Sequence, residues 1–410
     1  MISLDEARDY VLRGCRRNES VVVSLEDALG CVTAESVVSR ELVPPFANTA
    51  VDGYAVRAAD VASVPVELRV TGTIRAGMAG EGTPVEPGCA VRIMTGAPVP
   101  PGADAIVMVE DTDGTPDGET VIIRTAPSAQ QHIRPAGDDV TPGDEVIASG
   151  TLLTAGHLGV LATIGVTALV VTRRPRVGVI STGDELIDDG SPLAPGQIRD
   201  SNRLTLRKLL ESHGFDAIDL GLARDDEQVI ERAMRAGVEG CDAIVTTGGV
   251  SMGDFDYVKV VLDRIGEMRW MQVAIKPAKP LAFGTIADST GRPVPIFGLP
   301  GNPVSSMVSY ELFGRPALRR MAGFSDDELE IDIVDAVAIE PLRRRPDGKT
   351  HFARVVCEWD APNLRYVVRS AGAQGSHHMA AMASANGLAV LPDGDTVESG
   401  ATVRVRLLRS

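Results

Sequence analysis

Between residues 176 and 321 short apolar runs alternate with longer amphipathic stretches. Runs at 177–180, 217–220, 243–245 and 294–297 hold only three or four residues each and read as buried strands. Stretches at 204–210, 227–238, 257–265 and 303–321 read as helices. In the second of these Val229, Ile230, Ala233 and Met234 fall on one stripe. Strands alternating with helices predict a parallel or mostly parallel sheet covered on both faces, a three-layer α/β sandwich. In that architecture ligands sit at the carboxyl ends of the strands.

The flanks have different periods. Residues 1–43 read as helical, with Leu4, Ala7 and Leu12 at near-helical spacing and a second helix start at Ser24-Leu-Glu-Asp27. Pro44-Pro45 breaks that pattern. Short β-branched runs follow at 68–70, 90–93, 105–109 and 121–123, with turn signals at Asp113-Gly114 and Asp117-Gly118. A helical pattern returns at 151–171 and is expected to pack with 1–43. Residues 325–410 return to strands and read as a small β-barrel or sandwich. The predicted organisation is a helical linker domain from 1–43 and 138–172, an inserted β-rich module over 44–137, the α/β domain over 173–324 and a C-terminal β-barrel over 325–410.

Composition narrows the function classes. The net charge of −16, from 40 basic and 56 acidic residues, argues against nucleic acid and anionic membrane surfaces. No apolar run approaches a membrane span, and the N-terminus has no signal-peptide pattern, so no membrane insertion is expected. Cys15, Cys31, Cys89, Cys241 and Cys357 form no CxxC pair, which points away from structural zinc and disulfides and towards a reducing, cytoplasmic setting. Arginine is the default base. Only Lys208, Lys259, Lys276, Lys279 and Lys349 are lysine, and two of these fall in Lys276-Pro-Ala-Lys279-Pro. Two compact ammonium groups in one turn suit a small anion, set against the plainer reading of two solvated lysines.

Each strand of the α/β region ends in polar residues: Ser181-Thr-Gly-Asp184-Glu185, Arg224-Asp225-Asp226, Thr247-Gly248-Gly249-Val-Ser251 with Asp254 and Asp256, and Gly298-Leu-Pro300-Gly-Asn-Pro303. Any one of them fits an ordinary turn or cap, and Asp226 reads as a helix start. Together they offer glycines that let a backbone approach phosphate, acids that suit magnesium, and lysines for the remaining anion charge. The class is a nucleotide-like or phosphorylated substrate handled with a divalent metal. There is no Walker A loop, no G-x-G-x-x-G in strand–helix context, no G-x-S-x-G elbow and no H-E-x-x-H. His377-His378 reads poorly as a metal pair, since adjacent side chains rarely face one site. Positioning and electrostatics are expected to carry catalysis.

Seven motifs stand in order: 45–57 (PFANTAVDGYAVR), 93–100 (IMTGAPVP), 181–186 (STGDEL), 247–257 (TGGVSMGDFDY), 276–280 (KPAKP), 298–305 (GLPGNPVS) and 374–377 (QGSH). They resemble those of the molybdopterin molybdenumtransferases, the bacterial MoeA proteins and the gephyrin E domain, over nearly the whole chain. The resemblance implies a magnesium-assisted transferase that inserts molybdenum from molybdate into adenylated molybdopterin and releases AMP. It implies functional positions at Asp52, Thr95, Asp139, Glu185, Asp225 and Asp256, with Glu185, Asp225 and Asp256 on the metal. Substrate contacts fall on Gly248, Gly249, Ser251, Lys276, Lys279, Pro300, Pro303, Arg354 and Ser376. It also implies a homodimer, joined through the helical linker domain, whose cleft takes Asp52 and Thr95 from the second subunit. Transient contact with molybdopterin adenylyltransferase is a further implied partnership. Val51 stands where the family commonly has methionine.

Two rival readings remain at this level. One is a gephyrin-like scaffold that grips peptide partners near the C-terminal barrel, cell-division proteins among them. The other is the related adenylyltransferase, which resembles only the α/β domain. Val250-Ser251 after the paired glycines and the three additional domains count against it.

Overall fold

The computed structural model describes residues 1–114, 118–249, 257–330 and 332–408. Its central sheet has the order Asp216–Ala223, Arg176–Thr182, Ala243–Thr247, Pro293–Leu299, Pro280–Ala287 and Glu267–Gln272. The first four strands run parallel, and the last two are added antiparallel. The four parallel strands are those expected from the apolar runs. The antiparallel pair was not expected. Gly284, within Pro280–Ala287, permits this pairing, because a Cβ there would lie 2.0 Å from the Glu267 carbonyl.

Alternate strand residues feed opposite faces, as a pleated strand requires. Val177, Val179, Val245 and Phe297 join Leu206, Leu210, Val304 and Val308 on one face. Ile180, Ile244, Val294 and Ile296 join Ile230, Met234, Val258 and Val261 on the other. Each large apolar side chain taken out of water here stabilises the fold by about 1.5–3 kcal/mol. The helix Glu227–Gly240 starts at Asp226, whose side chain accepts from the Val229 N–H at 2.9 Å. The predicted long helix at 303–321 is three segments: Pro303–Ser309, a π turn Tyr310–Gly314, and Arg315–Met321.

The helical reading of 1–43 and 151–171 needs correction. Only Leu4–Arg13 and Ala155–Thr163 are helices there. The first, capped by Ser3, buries Ala7 and Val11 against the α/β core rather than against 151–171. After it the β-branched Ser20–Ser24 pairs antiparallel with Ala168–Thr172, and Val37–Val38 pairs with Glu145–Ile147. Ser24 and Asp27 form a closed turn, the hydroxyl donating to the carboxylate at 2.6 Å, and no helix follows. Residues 21–43 and 140–171 still share one small core, around Ala28, Leu153, Leu161 and Val171.

The β-rich module is a six-stranded sheet running from Ala105–Met108 through Gly53–Val56, Cys89–Ile93, Val66–Ile74 and Thr120–Ile123 to Thr112–Gly114. Asp113-Gly114 therefore lies in an edge strand instead of a turn, and Asp117 lies outside the described residues. In the C-terminal region Thr350–Asp360, Arg365–Ser370, Ile333–Ala338, Thr402–Leu407 and Gly387–Leu391 close on themselves as a five-stranded barrel. The two-residue strand Ile275–Lys276 adds to that barrel at Thr350 and His351, tying the α/β domain to it.

Candidate active site

The parallel register decides what meets at the carboxyl edge of the sheet. Thr182 is level with Ala223, and Asp184 and Asp225 each stand two residues further on. The Asp184 N–H donates to Asp225 Oδ2 at 3.4 Å, and the Asp225 N–H donates to Asp184 Oδ1 at 3.3 Å. Two carboxylates are thus held side by side by long contacts, with much of their lone-pair capacity unused. Glu185, exposed, folds back over Gly183, where a Cβ would come within 2.5 Å of Glu185 Oε2. From the sequence Asp184 stands only within its strand-end motif, with no role of its own. The signal was available in the equal spacing of the two acids beyond paired strands.

The next two strands end in a backbone cradle. Gly248 has φ +93° and Gly249 φ +65°. A Cβ on Gly248 would sit 2.7 Å from the Thr182 carbonyl, so glycine is demanded by close approach as well as by the left-handed conformation. Asn202 bridges the turns, donating at 2.7 Å to both Thr247 Oγ and the Gly301 carbonyl. Thr247 Oγ lies 3.5 Å from the Pro300 carbonyl. Asn202 is a second residue that sequence reasoning missed, because nothing local marks it. Ser251 and Asp256, expected here, lie outside the described residues, as does Asp254.

The barrel meets the α/β domain at the start of the helix that Pro303 opens. Arg354 is fully buried, and its Nη2 donates to the carbonyls of Ala373 and Gly375 at 2.9 and 3.1 Å. Burial lowers its pKa. Gln374 completes the loop by exchanging hydrogen bonds with the Arg354 backbone, both at 2.9 Å. The Ser376 carbonyl then accepts from the Val304 N–H at 3.1 Å, at the start of the helix that Pro303 opens. Arg354, Ser376, Pro300 and Pro303 therefore belong to one connected structure, with Arg354 acting on loop carbonyls. His378 Nδ1 accepts from the Gly375 N–H at 3.1 Å, which accounts for one member of the histidine pair.

Lys276 and Arg354 line a shared cavity of about 1010 Å³ together with Arg343, Arg344 and Arg345. Its main counter-charge is Asp347, which receives His351 Nε2 at 3.0 Å, Lys349 at 3.3 Å and Lys276 at 3.9 Å. Burial raises the Asp347 pKa, but the His351 and Lys349 bonds outweigh it and the carboxyl lies below its usual range. Burial in turn lowers His351, against the pull of Asp347. Lys279 is exposed beyond Ala278, whose φ of +74° marks a strained turn.

In the β-rich module the Thr95 N–H and hydroxyl both donate to Asp52 Oδ1 at 2.7 Å. These two bonds hold the exposed Asp52 carboxyl below the usual range. Gly53, next in sequence, packs so close that a Cβ would lie 2.1 Å from the Val107 carbonyl. Asp139 is exposed, with its backbone N–H donating to Val43 at 2.9 Å. Among the described residues no hydrogen bond or ion pair joins Asp52, Thr95 or Asp139 to the strand-end acids, and no three His, Cys, Asp or Glu side chains converge as a metal site.

Comparison with known proteins gives the same arrangement a context. Residues 2–165 match the family model described as MoeA N-terminal region (domain I and II), 178–320 the probable molybdopterin binding domain, and 340–408 the MoeA C-terminal region (domain IV). The chain is 37% identical to a molybdopterin molybdenumtransferase of Haemophilus influenzae, covering 99% of this chain and 98% of that one. It is 39% identical to molybdopterin molybdenumtransferase 2 of Mycobacterium tuberculosis, covering 99% of each. The crystal structure of a molybdopterin biosynthesis MoeA protein from Pyrococcus horikosii superimposes with a TM-score of 0.81 at 29% identity over the whole of both chains.

Proposed function

The chain belongs to the molybdopterin molybdenumtransferase family, and on that premise we propose that it inserts molybdenum from molybdate into adenylated molybdopterin with release of AMP. The observation that carries this reading is the glycine cradle and the paired acids on neighbouring strand ends, with a cationic cavity on the barrel whose loop is tied to the Pro303 helix by the Ser376–Val304 hydrogen bond. Gly248 and Gly249 present backbone to a phosphate, and Asn202 fixes the turn that follows. Lys276, with Lys279 near it in sequence, offers ammonium charge to an oxyanion. Arg354 shapes the 373–376 loop that borders the same cavity.

Asp225 and Glu185, with Asp256, are the residues that would hold magnesium as the family resemblance implies, and Asp184, which faces Asp225, adds a further oxygen donor of the kind a hard cation takes. Bound there, magnesium supplies charge neutralisation at the adenylate phosphate. Asp52 and Thr95 act as a preformed pair that comes to the cleft from a second copy of the chain, which makes the working unit a homodimer. The five free cysteines support a reducing compartment, the cytoplasm.

The test is direct. Purified chain is incubated with adenylated molybdopterin, molybdate and magnesium, and the products are followed by mass spectrometry. AMP and molybdenum cofactor are expected together. Failure to release AMP with all three components present would overturn the assignment.

A further inference from the structure

A second cavity, of about 820 Å³, lies at the amino ends of the same parallel strands, where Arg176 opens one strand and Pro293 another. Seven residues of strand separate it from the candidate active site, about 20 Å. Six arginines line it: Arg13, Arg16, Arg17, Arg173, Arg176 and Arg292. Its acids are Glu19, Glu239 and Asp242, and all three are occupied. Asp242, buried, takes both Nη groups of Arg173 at 2.7 Å, Arg292 at 3.2 Å and the Arg176 N–H at 2.9 Å. Glu19 takes Arg173 Nε at 2.7 Å, and Glu239 takes the Ser289 N–H and hydroxyl at 2.8 and 2.6 Å.

The other four guanidiniums have no carboxylate partner among the described residues. Arg13 donates to the Asp9 carbonyl, and Arg17 to Thr172 Oγ and the Thr33 carbonyl. Arg16 and Arg176 make no ion pair among the described residues. Six guanidiniums against three carboxylates leave this lining three positive charges in excess, which is unusual in a chain of net charge −16, where carboxylates outnumber bases. Pro293, Pro295 and Met321 complete the wall with apolar surface.

We propose that this cavity binds a phosphorylated small molecule of nucleotide size, with Arg16 and Arg176 on the phosphates and the proline–methionine wall against the heterocycle. The volume falls in the range that encloses such ligands, and planar guanidiniums suit phosphate oxygens. The buried Arg173–Asp242–Arg292 cluster fixes the floor, so the site exists before the ligand arrives. Cys241 in the wall is buried with its thiol pKa raised, which leaves binding and no covalent step.

The probe is ADP, with 8-azido-ADP for photolabelling of the full chain and peptide mapping. Labelled peptides are expected to cover residues 13–19, 239–242 or 292–295. The exposed pair Arg16→Ala/Arg176→Ala should lose that label and weaken ADP binding, read by calorimetry, by about tenfold or more. Unlabelled ADP should compete, and adenosine should not. Label confined to peptides spanning 183–185, 248–249 or 300–303 would overturn the proposal. So would an affinity unchanged in the double variant, provided its melting curve matches the parent. Pyrophosphate competing as well as ADP would overturn the nucleotide assignment in favour of an inorganic polyphosphate.

Discussion

The two ends of the central sheet treat charge in opposite ways. At the amino end Asp242 is buried and receives four donors, two arginines among them. At the carboxyl end the Asp184 and Asp225 carboxylates hydrogen-bond, among the described residues, to each other's backbone at 3.3–3.4 Å, and Glu185 is exposed. The strands are the same and the acids are of one kind. A carboxylate that already has its full set of donors holds structure together. One with open lone pairs is available to a ligand or a cation. Burial pushes the Asp242 pKa up, yet the Arg173 bonds and its other donors outweigh it and the group stays below the usual range.

Substitution at the open end should give the largest effect. Asp225→Asn is expected to lower molybdenum insertion by about 10²–10³-fold, the loss typical of removing one preorganised electrostatic partner. Its unfolding free energy should stay within about 0.5 kcal/mol of the parent, because no buried charge is left alone. A drop in stability as large as the drop in rate would erase the distinction between the two ends.

Asp242→Asn reverses the pattern. Arg173 and Arg292 lose their shared counter-charge, while Arg173 keeps Glu19 and Arg292 keeps Asp288. Both arginines are partly exposed, so the cost is discounted to about 2–3 kcal/mol, read by urea denaturation. The sign with pH follows from the lowered pKa. The stabilisation is present above the unfolded carboxyl pKa and is lost as pH falls through the lower folded value. Parent and variant curves should therefore converge below about pH 4. Parallel curves throughout would mean that Asp242 is not the charge being held. A smaller change separates backbone from side chain at the open end. Gly248→Ala forces a Cβ to 2.7 Å from the Thr182 carbonyl at φ +93°, which should cost about 1–2 kcal/mol and loosen phosphate binding. Unchanged substrate KM in a stable Gly248→Ala protein would remove the cradle from the site.

Legibility in the sequence follows the same divide. The four parallel strands were readable because both faces of each are buried, leaving short apolar runs between amphipathic helices. The antiparallel strands were not, since Glu267–Gln272 mixes charged and apolar residues on an edge, and Pro280–Ala287 follows directly on the lysine–proline motif. The first 43 residues misled because one genuine helix at Leu4–Arg13 set a period that the following Ser20–Ser24 strand does not keep. Of the candidate site, the placement of Gly248, Gly249 and Asp225 at strand ends was legible in the sequence. Asp184 required the strand register, Asn202 a contact 99 residues away at Gly301, and the arginine cavity the joining of 13–19 to 173–176 and 292. Such groupings depend on pairing across the fold, which no local pattern records.

The Asp52–Thr95 pair sits between the two extremes, with an exposed carboxylate that already has partners. Its pKa is lowered first by the Thr95 N–H and then by the Thr95 hydroxyl. Thr95→Val keeps the N–H and removes the hydroxyl, so the Asp52 pKa should rise towards, without reaching, that of a free aspartate. A carbon-detected NMR titration of the Asp52 carboxyl reads this without reference to activity. The parent group should stay ionised as pH falls through the ordinary carboxylate range of about 3.9, and the variant should protonate earlier. An unchanged titration would show that the hydroxyl bond is not made in solution, and Asp52 would then belong with Asp225 among the acids left open for a ligand.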